Sequence, residues 1–301
     1  MQANSTSPLP IDTLRMGLPS GSLQRATSEL FEKAGYKISV PERSVFPKFD
    51  DPKISAVLFR AQEISRYIVD GIIDCGLTGH DWIVENGNES DVHEICTLEY
   101  SRASSNPARW VLAVPEESKV EKPEDLKGAI IATELVNTTR KWFAARNIPV
   151  TVEFSWGTTE IKARILDAIV DITETGSSMR ANNLRIIDTI LSSTTRFVSS
   201  KAAWEIDWKR EKMENLAILL QGAMAARSKV GLKLNLPADK LGEVARVLPA
   251  EKSPTVSQLN IPGWVAVEVI LEEKQERELI PMLKRIGATG IISYPLNKVI
   301  P

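Results

Sequence analysis

Short apolar runs alternate with stretches of three- and four-residue apolar spacing along most of this 301-residue chain. Thr13 to Leu18 reads as a strand. Pro19-Ser20-Gly21-Ser22 turns it into a helix whose apolar residues Leu23, Ala26, Leu30, Phe31 and Ala34 share one face. Gly35 stops that helix, because glycine takes the left-handed conformation of a helix end without steric cost. The same unit recurs. Ser55 to Phe59 predicts a strand, and Arg60 opens a helix with Ile64, Tyr67 and Ile68 on one side. Gly71 to Gly79 is a short apolar segment closed by glycines, and Leu98 to Arg109 is loop-like before a strand at Trp110 to Val114. Ala129 to Thr133 and Val150 to Phe154 predict further strands. The helix between them is capped by Asn137 or Thr138, and another helix begins at Glu160.

Strands alternating with helices at this spacing predict an α/β fold with largely parallel sheets, whose ligands bind at the carboxyl ends of strands. Ala202 to Ala226 is expected to form a connecting helix, either continuous or broken near Glu211. The last segment reads as strands at Val230 to Leu236, Ser253 to Gln258, Trp264 to Leu271 and Gly290 to Tyr294. Its helices are Pro237 to Leu248 and Glu272 to Ile286, the latter interrupted by Pro281. That order, βαββαβ, is a ferredoxin-like module. The module's bounds are 226–301.

Composition narrows the function classes. The formal net charge of −2 supplies no basic field to recruit nucleic acid. Two cysteines, Cys75 and Cys96, are too few for a disulfide framework, and the two histidines, His80 and His93, lack zinc-site spacing. The opening MQANSTSPLP is polar without an apolar core, so no secretory leader is expected there. No run approaches the ~20 apolar residues of a membrane span, and a cytoplasmic location is expected.

The chemistry concentrates in DAIVDITETGSSMRANNL, Asp167 to Leu184. An apolar run, Ala168-Ile169-Val170, enters it as a buried strand. Two carboxylates, Asp171 and Glu174, follow, then the turn Thr175-Gly176-Ser177-Ser178, and a helix opens at about Ser178. Glycine lets the backbone approach a ligand. Hydroxyls and unpaired N–H groups at a helix start can cradle phosphate. The carboxylates suit ribose hydroxyls or a magnesium ion. A phosphorylated sugar fits all three features; a plain capped helix fits the turn equally well.

This stretch resembles the phosphoribosyl-diphosphate loop of the ATP phosphoribosyltransferase family, an acidic strand followed by D-x-x-x-T-G-x-[ST]-[LM]. Asp171, Thr175, Gly176, Ser178, Met179, Ala181, Asn182 and Leu184 match. Asp74 to Gly79 followed by Asp81, and Thr133, Glu134, Asn137 and Thr139, are similar to further family segments. LPSGSL departs from the family, with Ser20 and Ser22 where basic residues are common. SPTVSQL, GWVAVEVIL and IGATGIISYPLNKVI resemble the regulatory domain of the family's long form.

The resemblance implies a two-lobed, periplasmic-binding-protein-like catalytic core plus a C-terminal ferredoxin-like regulatory domain: a first lobe at 12–101 with 185–225, to which Arg185 to Ile190 is expected to return, a second lobe at 102–184, and the regulatory domain at 226–301. It implies transfer of phosphoribosyl from phosphoribosyl diphosphate to N1 of ATP, the first step of histidine biosynthesis. Magnesium, inhibition by histidine, and a homo-oligomer (dimer and hexamer) come with it. Thr175, Gly176, Ser177 and Ser178 are then expected on the ribose 5-phosphate, and Asp171 and Glu174 on the ribose hydroxyls as the catalytic pair. Gly21, Ser22, Arg60, Asp81 and Arg102 are expected near ATP or pyrophosphate. Asn235, Ser253, Thr255 and Gly290 are expected at the effector site. No residue stands out as a general base, and no metal ligands are assigned. A two-lobed binding protein without chemistry, or an inactive regulatory paralogue, would share the lobes.

Overall fold

The computed structural model describes residues 10, 12–41, 44–100, 107–248 and 254–300; Arg102 and Ser253 lie outside them. The chain divides between Ala217 and Ile218 into two compact units. The first begins with β1 (Leu14–Pro19), α1 (Gln24–Ala34), the two-residue strands β2 (Ile38–Ser39) and β3 (Lys48–Phe49), and β4 (Ile54–Phe59). It continues through α2 (Ala61–Val69), β5 (Cys75–Gly79), α3 (His80–Glu85) and β6 (Val92–Leu98). After a crossing come β7 (Ala108–Pro115), β8 (Ile130–Thr133), α4 (Val136–Ala144), β9 (Thr151–Phe154), α5 (Thr159–Lys162), β10 (Ala168–Thr173), α6 (Ser177–Ala181) and β11 (Leu184–Ser193). A second crossing leads to β12 (Thr195–Ser200), α7 (Lys201–Trp204) and α8 (Asp207–Ala225), and the unit boundary falls within α8.

Two five-stranded sheets result, ordered β4-β1-β5-β12-β6 and β11-β7-β10-β8-β9. Glycines set the first. A Cβ on Gly17 would lie 2.6 Å from Ile73 Cδ1, and one on Gly76 would lie 2.7 Å from Ile64 Cγ2 and 2.8 Å from the Gly17 carbonyl. Only bare backbone lets α2 settle onto β1 and β5. In the second sheet Val111 to Val114 and Ala168 to Val170 are wholly buried, as continuous apolar runs covered on both faces must be.

The α/β class holds, with several differences of detail. The sheets are mixed: β4, β1 and β5 run parallel, as do β9, β8 and β10, but β12 is antiparallel to β5 and β6, and β7 to β10 and β11. Arg185 to Ile190 does not return to the first sheet. It stays in β11 and pairs with β7 from Leu184↔Pro115 to Ser193↔Ala108, and the return begins at Thr195. Mostly half-buried residues make up β11, a pattern compatible with either sheet, so pairing register decided. The helix expected from Ala202 breaks at Glu205 and Ile206 rather than near Glu211, where Arg210 and Asp207 instead pair at 2.5 Å on the first turn of α8. Asn137 and Thr138 do not cap α4 with their side chains; they sit inside it.

The second unit is β13 (Lys229–Pro237), α9 (Leu241–Val247), β14 (Thr255–Gln258), β15 (Trp264–Glu272), α10 (Glu273–Ile286) and β16 (Thr289–Pro295), the expected βαββαβ order. Its antiparallel sheet runs β14-β15-β13-β16. Leu232, Leu234 and Leu236 alternate inward from β13 and meet Val267, Leu279 and Leu283 in one core. Pro281 does not interrupt α10, which runs on through it; only one backbone hydrogen bond is forfeited.

Candidate functional site

The two sheets of the first unit open at their carboxyl ends onto a common cleft of about 450 Å³. Gly21 and Ser22 reach it from the turn after β1, Arg60 from the end of β4, and Asp81 from the start of α3. Asp171, Glu174 and Ser178 line the opposite wall. Thr175, Gly176 and Ser177 form the turn between the last two and do not themselves line the cavity. Residues from opposite ends of the unit thus converge because each follows a strand of one of two facing sheets.

The turn is built locally. Thr173 Oγ1 accepts the Gly176 N–H at 2.8 Å, and Gly176 takes φ 75°, which an L side chain tolerates poorly. Thr175 Oγ1 donates to Ser177 Oγ at 3.0 Å. Arg180 Nη1 donates to the Thr175 carbonyl at 3.2 Å, bringing a guanidinium to the turn that the sequence pattern did not single out. Since α6 has five residues, the turn offers hydroxyls, backbone N–H groups and this cation more than a long helix dipole. Asp171 Oδ1 accepts the Ile172 N–H at 2.7 Å.

Asp81 is committed to the protein. Its Oδ2 accepts the Trp110 Nε1–H at 2.6 Å, and its Oδ1 accepts the Ser193 hydroxyl at 2.8 Å and the Trp82 N–H at 3.1 Å. Burial pushes its carboxyl above the usual carboxylate range, against the opposing pull of those hydrogen bonds. A Cβ on Gly79 would overlap Asp81 Oδ1, so a glycine there is required by the carboxylate's position. Neither cysteine is placed as a nucleophile: burial raises the Cys75 thiol well above its ordinary value and pushes Cys96 up to about 12.

The second sheet adds lining residues to the predicted set: Glu134, whose Oε1 accepts the Gly157 N–H at 3.4 Å, and Gly157 and Thr158 themselves. Gly157 and Thr158 adopt φ of 62° and 48°, a strained state for a threonine. Their signal was present in Ser155-Trp156-Gly157-Thr158-Thr159, another glycine-bearing hydroxyl turn after a strand. Trp110, by contrast, reads as core and is 1% exposed, yet it lines the cleft through β7.

In the second unit, Asn235 and Gly290 adjoin. A Cβ on Gly290, at φ 57°, would lie 3.2 Å from Asn235 Nδ2. Thr255 is on the far strand β14, where Ser257, not Thr255, falls in line with Ala266 and Asn235.

Residues 60–222 match the family profile described as ATP phosphoribosyltransferase, and residues 226–298 match that of the HisG C-terminal domain. The ATP phosphoribosyltransferase of Pelotomaculum thermopropionicum is 55% identical over 289 residues, covering 96% of this chain and 99% of that protein. The chain belongs to the ATP phosphoribosyltransferase family. It is therefore a transferase, acting in the first step of histidine biosynthesis. The ATP phosphoribosyltransferase of Geotalea daltonii is 52% identical over 291 residues, covering 96% of this chain and 99% of that protein. The solved ATP phosphoribosyl transferase (HisG:HisZ) complex from Thermotoga maritima aligns with TM-score 0.56 and 25% identity, over 69% of this chain and 99% of that one. Relatives matched over nearly their full length carry the C-terminal module of this ATP phosphoribosyltransferase family member as part of the same chain.

Proposed function

We propose that the cleft binds phosphoribosyl diphosphate on the β10–α6 turn and ATP on the wall formed by Gly21, Ser22 and Arg60. The observation that supports this reading most is the convergence of Asp171, Glu174 and Ser178 with Gly21, Ser22 and Arg60 on one cavity. Thr175, Gly176, Ser177 and Ser178 hold the ribose 5-phosphate; Ser178 lines the cavity and the other three form the turn beside it. Asp171 and Glu174 accept hydrogen bonds from the ribose hydroxyls. Adenine N1 uses its ring lone pair to attack the anomeric carbon as the bond to the diphosphate oxygen breaks, giving phosphoribosyl-ATP and pyrophosphate. N1 needs no general base, so the task of the protein is to hold two polyanions in line and offset their repulsion. Arg60, which lines the cleft, and Arg180, which donates to the Thr175 carbonyl of the turn, support that role.

A magnesium ion fits as a companion of the diphosphate. Asp171 and Glu174 offer oxygen donors on the cleft wall, the donor type a hard cation takes while keeping several waters. When bound, the ion supplies charge stabilisation to the leaving diphosphate.

The domain roles proposed are a first lobe from residue 12 that resumes at Thr195, a second lobe carrying the turn, and an effector unit from 226. In that unit Asn235 and Gly290, with Thr255 and Ser253, bind histidine as a feedback inhibitor. This chain is proposed to assemble into dimers and a hexamer; the relative from Thermotoga is described as a HisG:HisZ complex, which supports assembly but not that stoichiometry.

The test is direct. Full-length protein is given ATP, phosphoribosyl diphosphate and magnesium, with and without histidine, and phosphoribosyl-ATP is followed by its ultraviolet absorbance. Product formation suppressed by histidine supports both the cleft and the effector reading. Formation indifferent to histidine removes the effector reading. No formation despite phosphoribosyl-diphosphate binding would favour the inactive paralogue, in which Ser20 and Ser22 stand where the family commonly has basic residues.

A further inference from the structure

The short helix α3 belongs to the first sheet, yet its two buried carboxylates both serve the second. Asp81 and Glu85 lie four residues apart and are 3% and 9% exposed, so they fall on one face, about one helical turn (~5 Å) apart. Asp81 takes the Trp110 indole N–H of β7 and the Ser193 hydroxyl at the end of β11. Glu85 reaches α4. Its Oε1 accepts the Asn137 N–H at 2.8 Å, and its Oε2 accepts the Thr138 N–H at 2.9 Å and the Thr138 hydroxyl at 2.8 Å. The Glu85 carbonyl also accepts from Asn137 Nδ2 at 3.1 Å. These are first-turn donors of a helix, which otherwise lack partners and favour a negative charge. Trp82, between the two carboxylates, packs edge-on against Trp110 with centroids 5.9 Å apart.

The two anchors differ in leverage. The chain re-enters the first sheet after Thr194, and there Thr195 Oγ1 donates to the Tyr100 carbonyl just past the end of β6 at 3.2 Å. The Thr194 carbonyl accepts the His80 N–H at 3.0 Å. Asp81 therefore sits at the pivot, where a contact alone would still permit rotation. Glu85 sits a turn away from it and resists that rotation.

We propose that α3 is a strut that fixes the angle between the two sheets, with Glu85 as a positioning residue for the transfer reaction although it lines no part of the cleft. The proposal rests on the reading that phosphoribosyl diphosphate and ATP occupy opposite walls. Asp81 and Trp82 of α3 line the cleft but Glu85 lines neither wall, so only the mutual placement of the walls depends on the Glu85 contacts. A loosened strut leaves each substrate's own affinity unchanged and lowers the rate of transfer. Misplacement of reacting groups by about 1 Å is enough to cost on the order of a hundredfold in rate.

The experiment is the Glu85→Gln variant of the full chain, which keeps the side-chain size but replaces one acceptor oxygen by a donor facing donors. Dissociation constants for each substrate alone are measured by calorimetry and kcat by product absorbance. The expected result is a kcat lowered roughly tenfold or more with both binary constants unchanged, and restoration toward the native rate on reversion. An unchanged kcat, or a kcat loss matched by loss of either binary affinity, overturns the strut. Should Glu85→Gln fail to fold, Thr138→Val removes one hydroxyl donor and leaves both backbone donors, and the same split at smaller amplitude is expected; no split overturns the proposal. Gly176→Val measured alongside separates the two readings: if it keeps full phosphoribosyl-diphosphate affinity, the wall assignment fails, whereas the strut is judged by Glu85→Gln alone.

Discussion

Single residues in this chain are constrained by the neighbours a side chain would meet. At Gly176 the constraint is the backbone: φ is 75°, and Arg180 Nη1 lies 3.1 Å from where a Cβ would stand. Gly176→Val is expected to distort the turn and displace Arg180, lowering phosphoribosyl-diphosphate affinity by roughly tenfold to a hundredfold, the worth of one or two charge-assisted hydrogen bonds. Circular dichroism should be unchanged. Native affinity in that variant removes the turn from the binding site. Gly79 is constrained differently. Its φ of −74° suits any residue, but a methyl group would push the Asp81 carboxylate off Trp110 and Ser193. Gly79→Ala is expected to destabilise the first unit by about 1–3 kcal/mol, the cost of leaving buried polar groups unpaired. A urea midpoint equal to that of the native chain would contradict it.

Among the elements, β1, β5 and α8 are tied by Asp74, far from the cleft chemistry. Asp74 Oδ1 accepts from Arg15 Nη2 at 2.7 Å, and its Oδ2 accepts from Lys209 Nζ at 2.8 Å and from the Arg15 N–H at 2.9 Å. Burial acts to raise this carboxyl, but the two cations and the backbone bond outweigh it and hold it below the usual carboxylate range. A depressed native value means the contribution to stability is present above the unfolded pKa of about 3.9 and is lost as pH falls through the native one. Asp74→Asn strands Lys209, whose side chain is 8% exposed, and should cost about 3–5 kcal/mol at neutral pH. It should also flatten the acid limb of stability against pH, measured by urea unfolding; an unaltered acid limb would assign that loss to other carboxylates. Asp81 runs the opposite way. Its value is raised, so its contribution declines as pH rises above the ordinary aspartate range.

At the scale of the whole molecule, the chain joins a two-sheet transferase unit to a ferredoxin-like unit, and the effector reading concerns the second. Asn235→Ala is expected to weaken histidine inhibition several-fold while leaving uninhibited kcat unchanged, because Asn235 belongs to the unit that holds no part of the cleft. Equal inhibition of both proteins in the product assay would remove Asn235 from the effector site.

Much of this was legible in one dimension. Ala168-Ile169-Val170 is apolar without alternation, which only a strand covered on both faces requires, and Leu232, Leu234 and Leu236 alternate with polar residues, which a sheet covered on one face requires. Thr175-Gly176-Ser177-Ser178 announced a turn because glycine alone relieves a positive φ. Local sterics and burial period therefore determined the parallel strands of both sheets, β7, the longer helices, the βαββαβ module and the position of the turn, but not β6 or β12, whose segments carry no distinct apolar run. The sheet to which β11 belongs, the antiparallel course of β7 and β12, and the partner of each buried carboxylate were decided by contacts between residues far apart in the chain. Glu85 meets Thr138 across 53 positions and Asp81 meets Ser193 across 112. Such contacts leave no period in the sequence, because a carboxylate in a short helix looks the same whether it faces water, a ligand or the first turn of another helix. Only the packing of two sheets around one pivot distinguishes them.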